Sequence, residues 1–315
     1  MSKVVVTGAA GFIGSHIAEG LAAADYDVVG IDNFADHYSP ELKHLNAETI
    51  QDVGVDMQEA DLADSADISQ DTDMIVHCAA QPGISSDVSF RDYERNNIQA
   101  THNLLASCIS QDTSPFFLHI STSSVYGLKA TGAETAEPKP ASDYGVTKLA
   151  AEQLVLSAVR QDKLRAASLR LFSVYGPRER PEKLFTKLID VGITGSSFPL
   201  YKGSREHVRS FTYVGDVVRV IESAIDKREK VNGEIINIGN DNTNTTGEAI
   251  TAVENALGTK IEFDMQPPRD GDQSKTEAQI DKACDLLNWR PETALEEGVK
   301  KQVEWFQDNN ISQYL

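Results

Sequence analysis

Cysteine is scarce in this chain: Cys78, Cys108 and Cys284 are the only three in 315 residues, and their spacing suits neither zinc nor a redox pair. Free thiols, no disulfide framework and no metal site are the expectation. Long hydrophobic runs are missing too, since no apolar stretch approaches the roughly 20 residues that span a bilayer. The opening MSKVVVTGAA lacks the basic region and long apolar core of a signal peptide. These absences together predict a cytoplasmic chain. The third shortage is positive charge. Against 48 acidic residues stand 29 basic ones, a net charge of −19. A surface this acidic argues against nucleic acid or an anionic membrane as partner. Internal repeats and low-complexity tracts are also absent.

What is present is alternation. KVVVTG (3–8), DVVGID (27–32), DMIVHCAA (73–80), FFLHIST (116–122) and AASLRLF (166–172) read as strands with few polar interruptions. Near-continuous apolar strands suit a parallel sheet covered on both faces. Helical stretches near 14–24, 90–110 and 144–160 lie between them. The chain is therefore expected to be α/β, a Rossmann-like doubly wound parallel sheet. After about residue 172 the texture turns rich in Gly, Pro and charge. A boundary there divides a dinucleotide-binding unit, 1–172, from a smaller, loop-rich lobe, 173–315. Segments near 209–240, RSFTYVGDVVRVIESAI (209–225) among them, are candidates to return to the main sheet.

VVVTGAAGFIGSHIAEGL sets Gly8, Gly11 and Gly14 between a strand and a helix. Gly8 allows the tight turn, Gly11 a close approach of backbone to a pyrophosphate, and Gly14 close helix–sheet packing. Phe12 and Ile13 open the helix, whose first amides favour phosphate. Asp32, 18 residues beyond Gly14 with Asn33 after it, ends the second strand. A carboxylate there would bind the adenosine ribose and repel a 2′-phosphate, which favours NAD over NADP. Asp61 and Leu62 follow a third strand through GVDMQEA and suit an adenine-edge contact.

DYGVTK (143–148) places Tyr144 and Lys148 four apart, on one helix face. A phenol with a pKa of about 10 is a poor base until a nearby cation favours the phenolate. STSSVYG (121–127) offers Thr122, Ser123 and Ser124 at the carboxyl edge of the sheet, where ligands bind in open α/β folds. Two exposed helix residues would explain the spacing alone. The nucleotide turn and the hydroxyl-bearing strand in the same chain point to a proton-transfer site.

The motifs TGAAGFIGSH, IDNF, HCAAQPGI, RNNIQATHNLL, STSSVYG, YGVTK, LRLFSVYGPRERP, RSFTYVGDVV, PPRDGD and LLNWRPETALEEGVKKQVEWF together resemble the extended short-chain dehydrogenase/reductase family, specifically its NAD-dependent nucleotide-sugar 4-epimerases. The resemblance covers essentially the whole chain. It implies an isomerase that moves the C4 hydride of a UDP-hexose to NAD and back through a 4-keto sugar. It makes Tyr144 the base, Lys148 its partner on the nicotinamide ribose, and Thr122 the second catalytic hydroxyl. Ala79, Ala80, Asn97 and Phe172 resemble cofactor-lining positions. Arg209 and Arg269 resemble a diphosphate clamp, with Asp272 near the uridine ribose, and Leu200 and Tyr201 fall where uracil is cradled. The resemblance also implies a homodimer through a helical bundle made by residues 90–110 and 144–160.

Relatives that eliminate water carry an Asp–Glu pair where this chain has Ser123 and Ser124, and decarboxylating relatives show Glu at the position of Ser124. Their absence favours epimerisation. NFADHYSPELK and HCAAQPGI resemble the UDP-glucuronate branch, whose positions matching Ser173 and Arg180 handle the C6 carboxylate. That branch usually has Thr at the place of Ser173 and an Asp-Met-Ala-like stretch in place of EKL (182–184). UDP-glucose/UDP-galactose, or their N-acetyl forms, remain the alternative substrates. A UDP-glucuronate decarboxylase and a non-catalytic NAD-binding protein are less favoured.

Overall fold

The computed structural model describes residues 1–83, 88–268 and 274–315. Seven strands form its central sheet: β1 (Lys3–Thr7), β2 (Asp27–Asp32), β3 (Asp56–Glu59), β4 (Met74–His77), β5 (Phe116–Thr122), β6 (Ala166–Leu171) and β7 (Ile235–Ile238). Every pairing is parallel, in the order β7-β6-β5-β4-β1-β2-β3. Order reverses at β1, which places a crevice at the carboxyl ends of β1 and β4.

The apolar runs are continuous because both faces are covered. Val4 and Val6 point to the side where α1 (Phe12–Ala23) and α6 (Val214–Asp226) pack, with Ile17, Leu21, Val217 and Ile221. Val5 points to the opposite side, toward Leu104 and Cys108 of α3 (Ala100–Ile109) and Val155 of α4 (Asp143–Arg160). A separate apolar cluster builds the C-terminal lobe from α5 (Leu184–Thr194), α7 (Thr246–Leu257) and α8 (Leu295–Asp308), with Phe185, Ile250 and Phe306 at its centre. Leu42 of α2 (Pro40–Asp52) joins that cluster and ties the segment after β2 to the lobe.

Residues 209–225 do not enter the main sheet. Val208–Arg209 pairs with Asn244–Thr245, and Thr212–Tyr213 with Val174–Tyr175, in small separate sheets. The rest is α6, because Val214, Val217, Ile221 and Ala224 recur at helical spacing and bury one stripe. The strand that returns is β7, beside β6. Among the described residues no helix is long and apolar enough to cross a membrane.

Candidate active site

The crevice is a cavity of about 520 Å³ running from the β1–α1 turn to the start of α5. Gly8 takes φ +68°, and a Cβ on it would lie 2.8 Å from the Ala79 amide nitrogen. A Cβ on Gly14 would lie 2.1 Å from the Gly8 carbonyl oxygen. Only glycine fits either place. Gly11 caps α1 without any side-chain hydrogen bond, so the first-turn amides face the cavity unclaimed by side chains. Asp32 is buried at the end of β2, where its carboxylate accepts from the amides of Ala10 at 3.0 Å and Phe34 at 2.9 Å. This cradle fits a dinucleotide: room for backbone approach, free amides for phosphate and a fixed carboxylate for a ribose.

Asn33 donates to Asp61 at 3.0 Å, and Arg95 to the same carboxylate at 2.9 Å. Burial raises the Asp61 carboxyl, but bonds from Asn33, Arg95 and the Ala63 amide outweigh it and hold the pKa below its ordinary value. Phe12, Ile13, Leu62, Ala79 and Ala80 line the same cavity. Asn97 is one layer beneath, where its amide accepts from the Gln81 N–H at 2.7 Å and donates to Thr147 at 3.0 Å. Phe172 is wholly buried in the core against Tyr126, and Leu171 faces the cavity instead.

Tyr144, Lys148, Thr122, Ser123, Ser173 and Arg180 converge at the other end. The Ser142 hydroxyl accepts from the Gly145 amide and caps α4, so Tyr144 falls in its first turn. Thr122 closes β5, and its hydroxyl oxygen accepts from the Ser124 amide at 3.1 Å. Lys148 donates from Nζ to the Ile120 carbonyl at 2.7 Å. Burial lowers its pKa to about 8, against the opposing pull of Cys78 and Glu152. For Tyr144, burial raises the phenol, while Arg180 and the Thr122 hydroxyl pull it back down. Burial wins, so the phenol's pKa stays above its ordinary value, with Arg180 the leading opposing influence. Arg180 is paired with Glu182 at 3.0 Å. Ser173 holds φ +26°, a strained backbone beside the cavity.

The C-terminal residues singled out from the sequence lie apart from this lining. Leu200 is buried in the lobe's core, and Tyr201 ends the strand Ser197–Tyr201, which pairs with Glu262–Gln266. Arg209 is on the short strand beside Asn244. Arg269 and Asp272 lie outside the described residues. Sequence reasoning missed His37, Lys43, Gln81, Glu182 and Lys183, all of which line the cavity. They lie within NFADHYSPELK, HCAAQPGI and EKL (182–184), stretches used only for the resemblance, with no site role read for these five side chains. His37 and Gln81 meet at 2.9 Å from loops 44 residues apart.

The NAD dependent epimerase/dehydratase family matches residues 4–239. The uncharacterised UDP-glucose epimerase YtcB of Bacillus subtilis is 35% identical over 310 residues, covering 96% of this chain and 97% of that protein. UDP-glucuronate 4-epimerase 3 of Arabidopsis thaliana is 32% identical, covering 96% and 76%. Among solved structures, UDP-glucuronic acid 4-epimerase from Bacillus cereus, in complex with UDP-glucuronic acid and NAD, is similar with a TM-score of 0.89, 34% identity and coverage of 98% and 99%. With the glycine turn, the sheet order and the Tyr144–Lys148 helix all in one crevice, the chain belongs to the NAD dependent epimerase/dehydratase family.

Proposed function

We propose that the chain is a UDP-hexose 4-epimerase using bound NAD, with UDP-glucuronate and UDP-galacturonate as its sugar pair. The observation that carries the choice of sugar is Arg180, which lines the cavity with Tyr144 and opposes, without cancelling, the rise that burial imposes on its phenol. A uronate brings its C6 carboxylate close to C4, so a buried cation beside the base has an anion to meet. Ser173 adds a hydroxyl there. The Bacillus cereus relative, solved with UDP-glucuronic acid and NAD, supports the same reading.

Gly8, Gly11, Phe12, Ile13 and Gly14 hold the pyrophosphate of NAD, Asp32 and Asn33 its adenosine ribose, and Asp61 and Leu62 the adenine edge. Ala79, Ala80, Asn97 and, in place of Phe172, Leu171 back the cofactor. Removal and return of the C4 hydrogen with its electron pair is the chemistry NAD supplies when bound. Tyr144 takes the proton of the sugar 4-hydroxyl and gives it back, with the Thr122 hydroxyl holding the same oxygen. Lys148 adds positive charge beneath the reacting end, and Ser123 lines the sugar. Arg209 and Arg269 clamp the diphosphate, Asp272 the uridine ribose, and Tyr201 the uracil. The protein works in the cytoplasm as a homodimer, with residues 90–110 and 144–160 forming the shared bundle. Phe90 and Val146, large apolar side chains left exposed there, support that face.

A second reading, UDP-glucose and UDP-galactose or their N-acetyl forms, is favoured by the Arg180–Glu182 ion pair, which gives the guanidinium a counter-charge without a substrate carboxylate. Incubating the protein separately with UDP-glucuronate and UDP-glucose, and resolving products by chromatography, decides between them. UDP-galacturonate alone is the expected product. UDP-galactose alone establishes the second reading, and no conversion of either, nor of UDP-N-acetylglucosamine run alongside, removes both.

A further inference from the structure

The three residues ahead of Arg180 are gripped by two different parts of the molecule. Glu179 is buried, and its carboxylate accepts from the Thr186 amide at 3.0 Å and from Gln302 Nε2 at 3.0 Å, which anchors it to α5 and α8. Pro177 and Arg178 are held instead by α1, the helix of the glycine turn. His16 and Glu19 share one face of that helix. His16 Nε2 meets the Pro177 carbonyl at 2.9 Å, and since a carbonyl can only accept, that nitrogen carries the proton. Burial, helped by the Arg178 guanidinium, lowers the imidazole pKa to about 3 and keeps the ring neutral. Glu19 pairs with Arg178 at 2.7 Å, and the arginine side chain is only 8% exposed. Arg178 takes φ +64°, a left-handed backbone that a non-glycine residue keeps only where its surroundings impose it. Arg180 itself lines the cavity. Its Nη1 is buried and makes no hydrogen bond among the described residues, although a Glu182 oxygen lies 3.0 Å away.

We propose that Arg178 is a positioning residue: through its ion pair with Glu19 it sets Arg180 against the sugar, and so ties the helix that holds the NAD pyrophosphate to sugar recognition. The inference rests on the function proposed above, in which Arg180 meets the C6 carboxylate. Arg178 stands outside the cavity lining, so it acts through Arg180 and not on the substrate. An exposed ion pair would be worth little and held loosely. Here the guanidinium is buried, the backbone beneath it is strained, and the bond from His16 fixes the residue before it. Releasing the pair therefore lets the turn relax with Arg180 on it. The bonds to Glu179 alone would leave that turn pinned at one end.

The test is initial-rate epimerisation of UDP-glucuronate by the NAD-loaded protein, with UDP as competing inhibitor, in wild type, Glu19→Gln and Glu19→Asp. The Glu19 side chain is partly exposed, and glutamine matches its shape and helix preference. In Glu19→Gln the KM for UDP-glucuronate should rise roughly 3- to 10-fold with kcat within about twofold of wild type. The inhibition constant of UDP, which has no sugar, should not change. Glu19→Asp keeps the anion and should restore most of the KM. Arg178→Gln is read in the same way if Glu19→Gln fails to fold. A wild-type KM in the glutamine variant overturns the proposal even where the melting temperature falls, because the pair is then structural only. An equal loss for UDP and UDP-glucuronate overturns it too, since the disturbance then reaches the whole nucleotide, and so does an aspartate variant that restores nothing. Wild-type protein that converts no UDP-glucuronate removes the proposed sugar and this inference together, a result visible before any variant is made.

Discussion

A lysine at the bottom of an active site is a stability cost that function retains. Lys148 is 3% exposed, and burial lowers its pKa from 10.5 to about 8. Between those values the unfolded chain holds more protons than the folded one, so stability rises with pH through that window. Below pH 8 the cost is present in full, about 3 kcal/mol from the size of the shift. Lys148→Met keeps the volume and removes the charge, at the loss of the bond to Ile120. The ligand-free variant should therefore be about 1–3 kcal/mol more stable than wild type at pH 7, with the gap narrowing above pH 8. Urea unfolding at pH 7 and pH 9.5 measures it. A gap that widens with pH would show that the lysine is not a buried, destabilised cation.

Elements are tied together under the site by one buried network. Glu152 of α4, two turns below Tyr144, accepts from Arg170 of β6 at 2.6 and 3.0 Å and from Ser168 at 3.2 Å. Both charged side chains are at most 1% exposed. The Arg170 guanidinium stacks over the Tyr126 ring at 4.8 Å, and the Tyr126 hydroxyl donates to Asn237 of β7 at 2.8 Å. The network therefore links the helix of Tyr144 and Lys148 to the turn after Thr122 and to the strand that the sequence reading did not isolate. Breaking one half of such a pair strands the other charge. Glu152→Ala should lower stability by about 3–5 kcal/mol, and Glu152→Leu combined with Arg170→Met should recover much of that. Chemical denaturation of the three variants checks it, and a single variant as stable as wild type would remove the network from the stability argument.

For the whole molecule the governing quantity is charge. A net −19 on one compact chain repels itself, and the repulsion is screened over about 10 Å at 0.1 M salt and about 3 Å at 1 M. The melting temperature should rise as NaCl is raised from about 0.05 to 1 M. A flat or falling profile in thermal scans would mean that local pairing, such as Arg95 with Asp61 and Asp64, already cancels the repulsion.

Five strands were legible because a strand buried on both faces must be apolar throughout, and the glycine turn because no other residue fits φ +68° against Ala79. The shared face of Tyr144 and Lys148 follows from helical geometry alone. Sequence by itself determined these, since each depends on neighbours a few residues away. Tertiary structure decided the rest. It turned Lys148 to Ile120 and set Arg180 beside the phenol. It buried Phe172 while Leu171 faced the cavity, and it brought His37, Gln81 and Lys183 to one wall. Those outcomes depend on where loops from distant parts of the chain meet.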